Sequence, residues 1–350
     1  MRLTNLSSMP ADFNSGLVAQ TCNDLEDALR DDKIEIIEGE DWNKATRKNT
    51  KPTYSLPNAI VPLSSFIEIK GQEINSSCGG AALTALAERE HFASTKQIVR
   101  FCIWPTYMLG QMYTGRQLYG KDGGVVPSDV IKVGVRDGFL PVEVARKALD
   151  PKWIKKWNGD IYPRGYWTGR GNFEAAAHQA YADACNAYAP LMKNEKIRKL
   201  MRRFVMPSVV RFRKSSEVVE AENRQSAFAM ECHAWTESCD SDPNRIPFFD
   251  GQSKGGQHGH HATYICGLNR RKELLKANSW RPEQLLQQAR QQDTQELHAE
   301  EWGDDGVKAW DMGGHNCMMR HAQSYCYGFS GMKFAATESR LAKLDPADMY

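Results

Sequence analysis

The spacing of apolar residues changes several times along the chain, and each change marks an element. CNDLEDALRDD, from Cys22, predicts a short helix inside a mixed N-terminal segment that closes with NKATRKNTKPTY. Residues 1–54 read as an arm lying over a larger domain, or as a regulatory segment. From Leu56 the pattern tightens, and SLPNAIVPLSSFIEI has proline punctuation and a strand-like end. Between Ser77 and Glu90 the period becomes helical. Ala81, Ala82, Ala85 and Leu86 form a compact apolar face with Leu83 beside it, which predicts a helix that starts near Cys78 and is buried through small side chains. Gly79 and Gly80 weaken the start of that helix but clear space around the thiol.

Further along, DGGVVPSDVIKVGVRDGFLP predicts a glycine turn, a short helix capped by Ser128, and a second turn at Asp137–Gly138. Asn172 to Tyr188 is helical in character through Ala175, Ala176, Ala180, Ala184 and Ala187. ATYICGL and KELLKANSW predict strands. An exposed helix or helical hairpin, RPEQLLQQARQQDTQELHAE, follows them as an insertion over about 282–300. No internal repeat is present.

Composition narrows the class. A chain of 350 residues, 41% hydrophobic and 25% charged, suits a folded protein of one large domain or two ordinary ones. A net charge of +2 points to neither nucleic acid nor an anionic membrane, so no nucleic-acid partner is expected. No apolar run approaches the length of a transmembrane segment, and MRLTNLSSMPADFNSG lacks the apolar core of a secretory signal. Nine cysteines, an odd number in a chain of this size, fit a mostly reduced protein, either cytoplasmic or released by a non-classical route. Residues 193–214 carry nine basic side chains without an aromatic ladder, and read as a solvated face or a surface for an acidic protein partner. The N-terminal arm and the 282–300 insertion are the other candidate surfaces for a protein partner.

One stretch, GQEINSSCGG, raises a question of chemistry. A cysteine attacks a carbonyl carbon as thiolate, which a helix N-terminus and an adjacent imidazolium stabilise. It also needs a proton donor for the leaving amine and donors for the oxyanion. Gln72 lies six residues before Cys78, far enough to turn back and pair its amide with the Cys78 N–H. HGHHATYICGLN places imidazoles at 258, 260 and 261 just before an apolar strand, and KANSWR presents Asn278 at the end of another, with Trp280 available to shield it. Singly, each has a plainer explanation: a structural thiol, a solvent-facing or metal-binding histidine cluster, a strand end, a core tryptophan.

Together and in this order, these residues resemble the papain family of cysteine peptidases. The interval from Gln72 to Cys78, the His261–Ala262 strand start and the Asn278-Ser279-Trp280 triplet match the family's pattern. SLPNAI resembles the family's entrance segment, and Gly123–Gly124 the glycine pair that binds an extended substrate. Trp302–Gly303 with Gly306, and GGHNCMM from Gly313, extend the likeness over roughly residues 55–330. The chain also departs from the pattern. Asn75-Ser76-Ser77 precedes the cysteine and Gly79 follows it, so the family's usual disulfide cysteine three residues upstream is replaced by Asn75. Cys78 and His261 stand 183 residues apart, which implies an insertion between them.

The resemblance implies an α+β, two-lobed papain-like fold with insertions. A helical left lobe (about 70–190) would carry the nucleophile, a β-rich right lobe (about 225–330) would carry the histidine and asparagine, and 331–350 would form a tail. It implies Cys78 as nucleophile, His261 as acid and base, Asn278 as its orienting residue and Gln72 as oxyanion donor. Gly123, Gly124 and Trp280 would flank the substrate, a polypeptide hydrolysed through a thioester without metal or organic cofactor. Three alternatives stay open: an inactive papain-shaped scaffold, a related amidase or cell-wall peptidase, and a metal-binding protein. The last would draw on His258, His260 and Cys266, on Cys232, His233 and Cys239, or on Cys317, His321 and Cys326.

Overall fold

The computed structural model describes residues 22–47, 70–72, 75–95, 97–115, 122–163, 166, 172–206, 208–212, 215–224, 226, 228–236, 248–249, 257–268, 274–277, 279, 318–321, 326–330 and 333–334. The expected elements at SLPNAI, at 282–300 and around Trp302 and Gly313 lie outside them. Three short elements come first: α1 (Cys22–Asp31), β1 (Ile36–Glu38) and α2 (Gly39–Thr46). A helical run follows, with α3 (Cys78–Thr95), α4 (Ile103–Tyr113), α5 (Pro127–Lys132), α6 (Val142–Ala148), α7 (Pro151–Lys156), α8 (Phe173–Lys193) and α9 (Glu195–Met201). Strands then dominate. They are β2 (Phe204–Val205), β3 (Ser208–Phe212), β4 (Phe228–Thr236), β5 (Phe248–Phe249), β6 (Gln257–Leu268), β7 (Leu274–Ala277), β8 (Met318–His321), β9 (Cys326–Ser330) and β10 (Lys333–Phe334). One helix, α10 (Ser215–Arg224), sits between β3 and β4. The architecture is α+β, as expected.

The predicted helix at Cys78 is α3, and it is the hub. Every residue from Cys78 to His91 is buried, on all faces of the helix rather than on one. Small residues allow this: a Cβ at Gly80 would come within 3.1 Å of the Ile103 carbonyl and the Tyr107 side chain, so α3 and α4 approach backbone to backbone. On its other side α3 packs against β4 and β6. Its polar end is buried with partners remote in sequence. Glu88 pairs with Lys70 and accepts from the Phe101 N–H at 2.7 Å, while Arg89 pairs with Glu222 of α10 at 3.0 Å and donates to the Tyr264 hydroxyl at 3.2 Å.

Local chemistry explains the shorter helices. Asn172 caps α8 by accepting from the Ala175 N–H, and Asn194 caps α9 in the same way. Ser128 is not the cap expected for α5. Val126 holds that position without a side-chain bond, and Pro127 starts the helix because its fixed φ suits the first turn and its missing N–H is not needed there. The π-helical turn Val133–Asp137 closes at Gly138, whose φ of +76° and close approach to the Met201 carbonyl exclude a side chain.

Among the described residues the large sheet runs β1-β3-β9-β4-β6-β7-β8-β5, with parallel pairs only at β1–β3 and β5–β8. A separate ribbon joins β2 to β10, within the C-terminal segment 331–350. The described part of the N-terminal arm is the sheet's far edge, with three strands between β1 and β6. Leu29 and Ile34 join the main core. Arg211, from the basic segment, is turned inward and pairs with Glu26 and Glu38. Strand β6 joins the cores: Ala262 and Tyr264 enter the main cluster with α3, and Ile265, on the opposite face, enters a second one beneath α10.

Candidate active site

Cys78 opens α3, and its side chain has no exposure to solvent. The backbone N–H groups of Ala262, on β6, and of Gly79 lie beside the sulfur and favour its charged form. That contact brings the predicted histidine strand against the predicted nucleophile. His261 precedes Ala262 on β6, its backbone in register with His233 of β4. Burial pushes the Cys78 thiol up to about 12, and the nearby Asp122 carboxylate acts in the same direction. The described surroundings therefore hold a neutral thiol rather than the thiolate expected from the helix N-terminus.

Gln72 is buried and tied to the segment that carries the Asn-Ser-Trp triplet. Its N–H donates to the Ser279 carbonyl at 3.0 Å, and its Oε1 accepts from the Ser279 hydroxyl at 2.5 Å. Asn278 and Trp280 themselves lie outside the described residues, but Ser279, between them, meets Gln72 through two bonds. The Gln72 amide donates one N–H to the Asn75 carbonyl at 2.7 Å, and an amide NH₂ carries a second.

The glycine pair divides. Gly124, at φ +73°, turns its backbone inward: its N–H donates to the Tyr107 hydroxyl at 3.2 Å, and its carbonyl accepts from the Gln111 side chain at 3.4 Å. Gly123 is half-buried. Asp122, just before the pair, is a residue that pattern reading passed over. It accepts from the Ser76 N–H at 2.9 Å, from the Asn75 side chain at 3.1 Å and from the Tyr107 hydroxyl. A carboxylate beside a glycine turn is a weak signal, and its partners come from residues no spacing rule connects to it. Among the described residues, no cluster of three histidine, cysteine or acidic side chains is arranged to hold a metal ion.

No protein-family model matches the chain, and no curated protein is significantly similar to it. Solved structures are similar at low identity. Xylellain, a cysteine protease from Xylella fastidiosa, is 17% identical, with 82% of this chain and 91% of that one covered and a TM-score of 0.44. ProCathepsin B S9 from Trypanosoma congolense is 12% identical, with 80% and 78% covered and a TM-score of 0.43. Digestive procathepsin L 3 of Tenebrio molitor larval midgut is 9% identical, with 84% and 79% covered and a TM-score of 0.41.

Proposed function

We propose that the protein is a papain-like cysteine peptidase that hydrolyses polypeptides at Cys78. One contact carries the reading above all others: the helix that Cys78 opens packs on β6, so that Cys78 and Ala262, the residue next to His261, share one core although 184 residues separate them. The bonds between Gln72 and Ser279 support it from the other side, because Ser279 adjoins Asn278. In this reading His261 takes the thiol proton as the sulfur attacks the substrate carbonyl. Burial keeps Cys78 protonated until a cation forms beside it, so attack and proton transfer are coupled. The Cys78 N–H and the second N–H of the Gln72 amide hold the oxyanion. Collapse breaks the C–N bond, His261 protonates the departing amine, and a thioester remains. His261 then takes a proton from water as it attacks the thioester carbonyl, the C–S bond breaks to release the acid, and His261 returns the proton to the sulfur. Asn278 orients the imidazole, Trp280 shields that bond, and Gly123 faces the substrate backbone, since Gly124 is engaged inward.

A fluorogenic peptide and a peptidyl probe bearing a thiol-reactive group test this. Wild-type protein is expected to cleave the first and to be labelled by the second at Cys78. Cys78→Ser and His261→Ala, both folded, lose hydrolysis. Cleavage that survives Cys78→Ser sinks the proposal. The full burial of Cys78 favours a second reading, a papain-shaped binding protein. Folded wild-type protein that neither cleaves nor labels supports that one.

A further inference from the structure

Beneath the nucleophile loop, three donors from two parts of the chain converge on one carboxylate. The Ser76 N–H (2.9 Å) and the Asn75 Nδ2 (3.1 Å) meet Asp122 Oδ2, and the Tyr107 hydroxyl meets Oδ1. None of the three can turn acceptor. Ser76 offers a backbone N–H. The Asn75 amide also donates to the Ala177 carbonyl at 3.1 Å, which fixes its orientation. The Tyr107 oxygen already accepts from the Gly124 N–H at 3.2 Å and the Gln111 amide at 3.0 Å, so its single proton points to Asp122. Only a group that accepts on both oxygens fits, and that group is an ionised carboxylate.

We propose that Asp122 is a positioning residue for the nucleophile: its charged carboxylate fixes the 75–77 loop that presents Cys78 and orients Gln72. The proposal rests on the reading of Cys78 as nucleophile. Ser76 is two residues from Cys78, and the carbonyl of Asn75 receives the Gln72 amide at 2.7 Å, so one anchor sets both groups. The same hydroxyl that Asp122 orients holds the Gly124 N–H, which brings the glycine pair into the network. Asn75 stands where the resembled family carries a disulfide cysteine. Here the tie is a set of hydrogen bonds, indifferent to reductant.

The charge of Asp122 is itself readable. Burial, the larger effect, raises its pKa against the pull of its donors, and its titratable neighbours are Tyr107, Tyr181, Cys78 and His178 of α8. The anion opposes ionisation of Cys78. The test uses the full chain carrying Asp122→Asn or Asn75→Ala. Alkylation of Cys78 by iodoacetamide is followed against pH through the mass of its peptide, alongside hydrolysis of a fluorogenic peptide. Asp122→Asn removes the charge and leaves a donor facing donors. Its kcat is expected to fall about 10- to 100-fold with little change in KM, and its alkylation midpoint to move to lower pH by about 1. Asn75→Ala keeps the charge and removes one tie, so kcat falls several-fold while the midpoint stays. A folded Asp122→Asn protein whose midpoint matches wild type overturns the proposal. Should that variant not fold, Asn75→Ala decides, and an unchanged kcat overturns it. Alkylation needs no peptidase chemistry. Wild-type protein that alkylates without cleaving any peptide therefore defeats the peptidase reading alone, and the midpoint still tests Asp122.

Discussion

Removing one half of the Arg89–Glu222 pair should be among the most damaging substitutions away from the site. The two side chains are 1% and 0% exposed and 3.0 Å apart, and Arg89 also reaches the Tyr264 hydroxyl of β6. They join α3, α10 and the sheet. At that separation the attraction is about 5 kcal/mol with an effective dielectric near 20. Burial nevertheless outweighs it, because Glu222 is pushed up from 4.5 to about 7. Arg89→Met leaves the Glu222 carboxyl buried without its cation and removes the donor to Tyr264, and should lower the unfolding free energy at pH 7 by about 3 to 5 kcal/mol. The double variant Arg89→Met/Glu222→Leu removes both charges and should return to wild-type stability within about 1 to 2 kcal/mol, or exceed it. Denaturant unfolding followed by circular dichroism reads both. A single variant that loses less than about 1 kcal/mol would show that the pair is not desolvated. A double variant as unstable as the single one would show that the loss comes from packing.

The same pair has a pH signature. Between its unfolded and folded pKa values, Glu222 binds a proton in the native state that the unfolded chain has released. Because the folded chain must hold that proton while the unfolded chain releases it, stability falls as pH rises from 4.5 to about 7, by on the order of 3 kcal/mol. His91 acts oppositely. Burial lowers it from 6.5 to about 4, so stability is lost as pH falls through that window. The two contributions largely cancel in the wild type. Subtracting the pH–stability curve of Glu222→Gln from that of the wild type isolates the carboxylate, and a difference that does not change between pH 4.5 and 7 refutes the shift.

Further outcomes follow from single residues. Cys78→Ser should abolish peptide hydrolysis without altering the circular dichroism spectrum, and Gln72→Ala should reduce kcat by about 10²- to 10³-fold if its amide holds the oxyanion. Gly138→Ala should destabilise the fold by about 1 to 3 kcal/mol, read as a lower denaturation midpoint, because φ is +76° and the added methyl meets the Met201 carbonyl. Arg211→Met should lower the denaturation midpoint by removing the buried cation that Glu26 and Glu38 share, whereas Lys152→Ala, an exposed pair with Asp150, should change stability by less than about 0.5 kcal/mol.

The sequence by itself determined the elements whose cause is local. The alanine spacing after Cys78 makes a helix wherever that segment lies, Asn172 and Asn194 supply their own caps, Asp137–Gly138 makes a turn, and ATYICGL is a strand. The sequence also named the chemical candidates in order, since residue type and interval along the chain are all that such a pattern needs. Only the tertiary structure decided what meets what. Glu88, Arg89, Glu90 and His91 look like the polar end of an exposed helix, yet all are buried, because Lys70 and Glu222 reach Glu88 and Arg89 from 18 residues or more away. Ala262 reaches the Cys78 sulfur, Ser279 reaches Gln72, and Asp122 gathers Asn75, Ser76 and Tyr107. The physical reason is common to all of them. Helix and turn preferences act over a few residues, but the neutral state of a buried thiol and the charge of a half-buried carboxylate are set by which distant backbone and side-chain groups replace water around them.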